Sequence, residues 1–302
     1  MKFGEVIVEA SGRAEVFADI ISKLNLRPPI IVKPNWGVSQ CYTEAKILDW
    51  VLSAIGDKVL VVESYGWART KDAVFRKHMG SKSRSSLRKS DQWFLDYSGI
   101  QSVLEKHGVE YFNITEAVWA GCVVEPKIIR RLVEAKYPPV HNDGLYGAIP
   151  IRLYESRGGT LLSLAKLKSL ASPIDVSLSV KNLFGLIPTP SRMSFHGKKN
   201  VLLDKSIVDI NKIYRTLFAV KGIVEAVFTA SVTGKDPLDP KIHKNLGLVL
   251  GSEDTVELDA FVSALVGKDP HQVGHLKLAS ELFGKWNDRN VALGQKSGIR
   301  IF

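Results

Sequence analysis

The feature that most constrains this chain is a short apolar segment that ends in a polar loop and occurs twice between helical segments. Residues 29–32 form the first such segment, which ends at Lys33-Pro34-Asn35-Trp36-Gly37. Residues 58–62 form the second, which continues into Glu63-Ser64-Tyr65-Gly66-Trp67. Short apolar runs without alternation are typical of strands buried on both faces of a parallel sheet.

Helical spacing of apolar residues separates these strands, at 13–24, 44–55 and 91–107. The alternation of strand, loop and helix predicts an α/β fold with a largely parallel or mixed sheet and crossover helices. We expect further strands at 5–9, 110–114, 159–164 and 247–250. Further helices are predicted at 126–135, 205–217, 255–266 and 272–283, and a short helix or turn at 177–186.

The length of 302 residues is sufficient for one large unit or for two lobes. We treat 1–302 as one unit. The alternative is a pair of lobes, 1–136 and 151–302, joined by the proline- and glycine-rich connection 137–150.

Composition predicts a cytoplasmic protein that does not cross a membrane. No apolar run approaches the roughly 18 residues of a membrane helix, and the first residues lack the pattern of a signal peptide. Two cysteines are too few for an iron–sulfur cluster, so none is expected. The scarcity of cysteine and methionine fits a thermophilic source. The oligomeric state and any other cofactor are left open.

The formal net charge of +10 favours an anionic partner. Residues 76–89 contain six basic residues and no acid, interleaved with serine, which predicts a loop or a frayed helix end. A solvated loop, a clamp over a bound anion and a nucleic-acid contact are the three interpretations of this segment. Nucleic-acid binding would also use Lys127, Arg130 and Arg131, and ranks below a small anionic ligand.

The two strand-end loops supply the first candidate binding residues. In parallel sheets, ligands bind beyond the carboxyl ends of the strands. Lys33 offers a cation there and Asn35 offers donors and an acceptor. Ser64 and Gly66 offer a hydroxyl and exposed backbone amides, as in sites that hold phosphate or carboxylate.

The richest group of candidates lies between Lys166 and Lys199, where 176–203 contains no acidic residue. Lys166 and Lys168 follow the strand predicted at 159–164. A lysine in an apolar context is prone to burial, to a shifted pKa and to anion binding. We predict that Lys181, Asn182 and Arg192 bind the ligand, and that Lys168 and His196 are the catalytic candidates, with His196 transferring protons.

A last group of acids and histidines lies between Asp254 and His275. Asp254 precedes a helical segment and is predicted to cap it. His271 and His275 would share a helical face with a four-residue spacing, and Asp259 is a conceivable third metal ligand. We favour the structural interpretation and assign no metal ligand.

Several of these motifs, in this order, resemble the domain of unknown function 362 family. They are Lys33-Pro34-Asn35-Trp36-Gly37, the strand ending at Glu63-Ser64-Tyr65-Gly66, and Val180-Lys181-Asn182-Leu183-Phe184-Gly185, followed by His196, Asp209 and residues 252–260. The resemblance covers about 30–283. It implies an α/β fold with a site at these motifs, and it assigns no reaction, because the activity of the family is largely unassigned.

The chain departs from the family pattern at three places. It lacks the ferredoxin-like cysteines of many members, Ser169, Leu170 and Ala171 stand where a histidine usually follows, and Lys221 replaces an acidic residue before Gly222. These departures favour a catalytically silent member of the family. The lysines and the strand-end loops lead us to expect a protein that binds, or also transforms, a small metabolite bearing phosphate or carboxylate in a lysine-lined pocket. The alternatives are a nucleic-acid-binding protein and a catalytically silent family member.

Overall fold

A computed structural model describes residues 2–10, 12–56, 58–75, 83–170, 174–232, 241–243 and 246–297. These residues form one mixed sheet with helices on both faces, as predicted for an α/β protein. The strands are β1 Lys2–Phe3, β2 Val6–Ala10, β3 Ile30–Lys33, β4 Val59–Glu63, β5 Glu110–Asn113, β6 Thr160–Leu170, β7 Val176–Ser177, β8 Ala219–Val232, β9 Lys241–His243 and β10 Leu248–Ser252.

Along the sheet the main order is β1-β2-β10-β8-β6-β3-β4-β5, with β7 paired to β6 and β9 paired to β8. The five strands from β8 to β5 run parallel to one another, and β10 is antiparallel to both of its neighbours. The carboxyl ends of the parallel strands therefore meet at one edge of the sheet, where the two polar loops begin.

Fourteen α-helices lie within the described residues. They are α1 Ala14–Lys23, α2 Ala45–Ile55, α3 Lys71–Val74, α4 Arg84–Tyr97, α5 Ile100–His107, α6 Ile114–Trp119, α7 Pro126–Glu134, α8 Ile151–Glu155, α9 Ser179–Asn182, α10 Met193–His196, α11 Leu203–Leu217, α12 Thr255–Leu265, α13 Gly274–Leu282 and α14 Asp288–Ser297.

The sheet separates two hydrophobic cores, and strand alternation assigns side chains to them. Val32 and Leu162 pack with helices α1, α2, α4 and α5 in one core. Ile31 and Leu161 face the other core, which contains α7, α8, α11, α12 and α13. Burial on both faces explains why these strands are almost continuously apolar.

Two predicted elements differ from the structure. The helix predicted at 91–107 is two helices, α4 and α5, because Gly99 adopts a positive φ of 73° between them. The strand predicted to end at residue 164 continues to Leu170, because β6 pairs with the long strand β8 up to that residue. Lys166 and Lys168 therefore lie within a strand and do not follow one.

Strands from both sides of the connection 137–150 pair directly in the sheet, since β3 pairs with β6 and β2 pairs with β10. The division into two lobes stays a prediction. The backbone N–H of His141, in the connection, donates a hydrogen bond to the Asp209 carboxylate of α11 at 2.7 Å. Among the helices that the structure describes, none combines the length and the apolar character needed to span a bilayer.

Candidate functional site

An ion pair between Lys33 and Glu63 lies at the centre of the carboxyl edge of the sheet. Both side chains are buried, and Lys33 Nζ donates to Glu63 Oε1 at 2.5 Å. The same ammonium donates to the carbonyl of Pro34 at 2.6 Å and to Asn182 Oδ1 at 3.3 Å. All three of its protons therefore have acceptors within the protein.

Burial lowers the pKa of Lys33 from 10.5 to about 8, although the Glu63 carboxylate opposes the shift. Burial alone would raise the pKa of Glu63. Its pKa is nevertheless lowered, because the cations Lys33, Arg69 and Arg192 surround the carboxylate. Glu63 is therefore ionised and is shared by several positive charges.

Two asparagines connect this ion pair to Lys168. Asn182 Oδ1 accepts a hydrogen bond from Asn35 Nδ2 at 3.0 Å, and Asn182 Nδ2 donates to the Lys33 carbonyl at 2.9 Å and to Ser163 Oγ at 3.1 Å. Asn35 Oδ1 in turn accepts from Lys168 Nζ, which also donates to the Cys41 carbonyl at 2.9 Å. The structure thus brings together Lys33, Asn35, Lys168 and Asn182.

Ser64 and Arg192 form the adjoining part of the site. Ser64 Oγ hydrogen-bonds to the carbonyls of Gly185 and Ile187, and Arg192 donates to Ser64 Oγ. Arg192 also donates to the carbonyls of Gly185 at 2.9 Å and of Tyr65 at 3.2 Å. The Ser64 hydroxyl is thus committed to protein atoms, and Arg192 is held by neutral oxygens.

Glycine is required at position 185 because a side chain there would collide with the ion pair. A Cβ on Gly185 would lie 2.8 Å from Lys33 Nζ and 3.3 Å from Glu63 Oε1. At Gly66 the space is wider, and a Cβ would lie 3.4 Å from a guanidinium nitrogen of Arg192. Both glycines therefore let backbone approach the charged groups.

Lys181 differs from the other lysines of the site. No oxygen among the described residues accepts a hydrogen bond from its ammonium group, and its nearest aromatic partner is the Phe184 ring, 5.9 Å from Nζ to the ring centroid. Burial, together with the neighbouring cations Lys168 and Arg192, lowers its pKa from 10.5 to about 8, and the Asp204 carboxylate opposes this shift. Lys181 is a half-buried cation that repels its neighbours.

His196 packs edge-on against the same Phe184 ring, with 5.3 Å between the centroids. Its Nδ1 lies 2.9 Å from Asn200 Oδ1, which favours the tautomer that carries its proton on Nδ1. Burial lowers the pKa of His196, and Lys181 and Arg192 add to this effect. The imidazole is therefore neutral near pH 7, with Nε2 left as a proton acceptor.

Among the described residues, the site contains more positively than negatively charged side chains. Within the described part of the chain, Lys168, Lys181 and Arg192 form no ion pair with a carboxylate. Burial lowers the pKa of Lys168, and it lowers the pKa of Arg192 to about 10. In the described part of the site, the five cations Lys33, Arg69, Lys168, Lys181 and Arg192 accompany the two acids Glu63 and Asp91.

Asp259 fixes the backbone turn that carries Lys181 and Asn182. Its two carboxylate oxygens accept the backbone N–H groups of Ser179 at 2.9 Å and Val180 at 2.7 Å, at the start of α9. Burial raises the pKa of Asp259 to about 7, while these two hydrogen bonds lower it. Asp259 therefore has a structural partner and acts on the site through α9.

Lys166 lies in a neighbouring cluster, where two carboxylates pair with it. Its Nζ lies 2.7 Å from Glu225 Oε1 and 2.9 Å from Glu44 Oε1. Nothing in the sequence indicated these pairs, because both carboxylates come from elements that are distant from Lys166 in the chain. Lys166 therefore does not contribute an unpaired charge to the site.

Sequence reasoning missed a second buried ion pair beside the site. Arg69 pairs with Asp91 and also donates to the carbonyls of Trp36 and Ser64, each at 3.2 Å. Asp91 accepts a further hydrogen bond from the Tyr111 hydroxyl at 2.9 Å. Arg69 and Asp91 are 22 residues apart, and no local pattern pointed to their pairing. The role of Glu63 was also missed, although its place at a strand end was a usable signal.

The acids and histidines between Asp254 and His275 contact different partners. Asp254 accepts from the N–H groups of Val256 and Glu257 and caps α12, as predicted. His271 Nε2 lies 3.1 Å from Asp288 Oδ1, and His275 Nδ1 lies 3.6 Å from Asp204 Oδ1. A search of the described residues finds no group of three or more His, Cys, Asp or Glu residues placed to hold a metal ion.

The basic segment 76–89 is described only from Ser83 onward, and Arg76, Lys77 and Lys82 lie outside the described residues. Arg84 lies 4.9 Å above the Trp119 ring, and Arg88 pairs with Glu116. These two cations at the start of α4 therefore already contact protein groups.

Comparison with known proteins adds one match. The family model named Domain of unknown function (DUF362) matches residues 150–264. This segment, 115 of the 302 residues, is similar to that family. Searches of curated proteins and of solved structures gave no match. The match confirms the resemblance drawn from the sequence over residues 150–264, and the motifs at Lys33 and Glu63 lie outside it. The matched segment contains Lys168, Lys181, Asn182, Arg192, His196 and Asp259.

The structure shows where the residues that depart from the family pattern lie and what they contact. Lys221, before Gly222, donates to the carbonyls of Leu24 and Asn25 at the end of α1 and pairs with Glu253 at 3.0 Å. This cation therefore has a structural use away from the DUF362 site residues. Ser169 and Leu170 form the end of β6, and Ala171 lies outside the described residues.

Proposed function

We propose that the chain binds a small anionic metabolite bearing phosphate or carboxylate, with Lys181 as the principal cation. The observation that carries the proposal is the half-buried ammonium of Lys181, which lacks an acceptor among the described residues and is flanked by Lys168 and Arg192. Like charges in a partly desolvated position repel one another. An anion in contact with Lys181 would relieve this repulsion.

In this proposal the residues divide into two roles. Lys181 and Arg192 contact the anion, and Lys168 adds positive potential. Lys33, Asn35 and Asn182 are tied to one another and support the site. Ser64 accepts a hydrogen bond from Arg192, and Gly66 leaves space for its guanidinium. His196, on the Phe184 ring, is the group that would exchange a proton with the bound molecule if the protein transforms it.

The test is the thermal stability of the protein with inorganic phosphate, succinate or citrate. A ligand present at 100 times its Kd raises the free energy of unfolding by about 2.7 kcal/mol. We expect this stabilisation in the natural protein and its loss in Lys181→Ala. Lys277→Ala, which removes an exposed lysine of α13, is the matched control and should keep it.

The control is essential because phosphate and citrate also stabilise proteins by exclusion from their surfaces. Only the difference between the two variants reports a specific site. Equal stabilisation of Lys181→Ala and Lys277→Ala by every anion would overturn the proposal. Nucleic-acid binding and a silent family member stay as alternatives, and a cytoplasmic location and a thermophilic source stay predictions from composition.

A further inference from the structure

We propose that Lys181 is a nucleophilic amine that forms an imine with the carbonyl group of an aldehyde or ketone that also carries a carboxylate or phosphate. This inference rests on the proposed anion site and deepens it, because it specifies a second functional group of the substrate. It differs from anion binding alone, which needs only the charge of the lysine.

The surroundings of Lys181 match the requirements of an amine nucleophile. Such a lysine must be neutral in part of the population, and enzymes achieve this by desolvation or by a neighbouring cation. Lys181 has both: it is half-buried against the Phe184 ring, and Lys168 and Arg192 are close enough to disfavour its charge. No hydrogen bond within the described residues ties up its nitrogen lone pair or fixes its orientation.

Lys33 provides the contrast within the same site. Its pKa is lowered to the same value, yet its ammonium is fixed by Glu63, by the Pro34 carbonyl and by Asn182. These three hydrogen bonds hold Lys33 in its charged ammonium form, which has no lone pair for nucleophilic attack. Lowered pKa alone therefore does not distinguish the two lysines, whereas their contacts do.

Arg192 and His196 supply the other two functions that the step needs. Arg192 is held by neutral oxygens and lies at the edge of the site, where its charge can attract the carboxylate or phosphate of the substrate. His196 contacts the Phe184 ring that Lys181 also faces. Because Nδ1 is engaged by Asn200, Nε2 is the nitrogen that can take up and return a proton.

The step balances without an oxidant or a reductant. Lys181 Nζ attacks the carbonyl carbon, a C–N bond forms, and the carbonyl oxygen becomes the hydroxyl of a carbinolamine. The C–O bond then breaks, and the oxygen leaves as water with the two hydrogens that the amine has lost. His196 Nε2 would carry a proton from the nitrogen to the departing hydroxyl.

The test is reductive trapping with sodium borohydride, which converts an imine into a stable secondary amine. The protein is incubated with pyruvate or with glycolaldehyde phosphate, reduced, digested and analysed by peptide mass spectrometry. The two probes distinguish a carboxylate-bearing from a phosphate-bearing carbonyl compound. We expect a single reduced adduct on Lys181 with at least one of them, at least tenfold above any other lysine.

Lys181→Arg is the decisive variant, because arginine keeps the positive charge and removes the primary amine. It should lose the adduct. Absence of a Lys181 adduct with both probes, or equal labelling of Lys181 and exposed lysines, would overturn the imine. If succinate and phosphate still stabilise the protein in that case, the anion site survives. If they do not, both proposals fall.

Discussion

Lys33 and Lys181 lie in the same site and have the same lowered pKa of about 8, but they occupy opposite electrostatic situations. Lys33 is fully buried and is neutralised by Glu63. Lys181 is half-buried, and among the described residues its neighbours are an aromatic ring and two further cations; Asp204 acts on its charge but forms no ion pair with it. The comparison separates a lysine that holds the fold together from a lysine that the fold leaves available.

We therefore expect that removing the lysine charge changes the free energy of unfolding in opposite directions at the two positions. Removing one member of a buried ion pair strands the other charge in a poorly solvated environment, which is strongly destabilising. Removing a cation that lacks a counterion relieves a repulsion and a desolvation cost. Methionine is the suitable replacement at both positions, because it keeps most of the length of lysine without the charge.

The largest effect is expected for Lys33→Met. It leaves the Glu63 carboxylate buried without its ion-pair partner and removes a donor to Asn182, so we expect a loss of about 3–5 kcal/mol in the free energy of unfolding. Denaturant titration measures this value. The double variant Lys33→Met with Glu63→Leu should recover part of it, because the carboxylate is no longer buried without Lys33, although Arg69 and Arg192 also lose a nearby negative charge. A double variant as unstable as the single one would show that the ion pair is not the cause.

A smaller effect of opposite sign is expected for Lys181→Met. Without added anion it should raise the free energy of unfolding by about 1 kcal/mol at pH 7, since a desolvated cation is replaced by an apolar side chain. The gain has a defined pH dependence. The folded pKa of about 8 lies below the unfolded value of about 10.5, so the unfolded chain binds more protons between these values.

The charge penalty in the natural protein is therefore complete below pH 8 and disappears as the pH rises toward 10.5. The advantage of Lys181→Met should be greatest at pH 7 and nearly absent at pH 10, measured by denaturant titration at both values. If Lys181→Met lowers the free energy of unfolding at pH 7, Lys181 has a stabilising partner. That result would contradict the claim that Lys181, unlike Lys33, is not neutralised in the folded protein.

The sequence predicted the parts of this site that depend on local order along the chain. Short apolar strands followed by polar loops gave the α/β class and the position of Lys33 and Asn35 at a strand end. The apolar setting of Lys181 and Asn182 correctly indicated partial burial. These features are visible because each depends on a few consecutive residues.

The pairings could not be predicted, because they join residues that are far apart in the chain. Lys33 and Glu63 are separated by 30 residues, and Asp259 is 80 residues from Ser179. The sequence places Lys166 in the group of candidates between Lys166 and Lys199, yet Glu44 and Glu225 pair with it from other elements of the fold. Only the fold reveals which lysines are neutralised and which are not.

The most direct test of the central claim is a measurement of the pKa of the Lys181 amine in the folded protein. Competitive trace labelling with acetic anhydride across pH 6–11, read out by peptide mass spectrometry, gives this value for individual reactive lysines, with exposed Lys277 as the reference. We predict a pKa of about 8 for Lys181, raised when inorganic phosphate or succinate is added, because a bound anion stabilises the ammonium. A pKa near 10.5 that does not change with either anion would contradict the account.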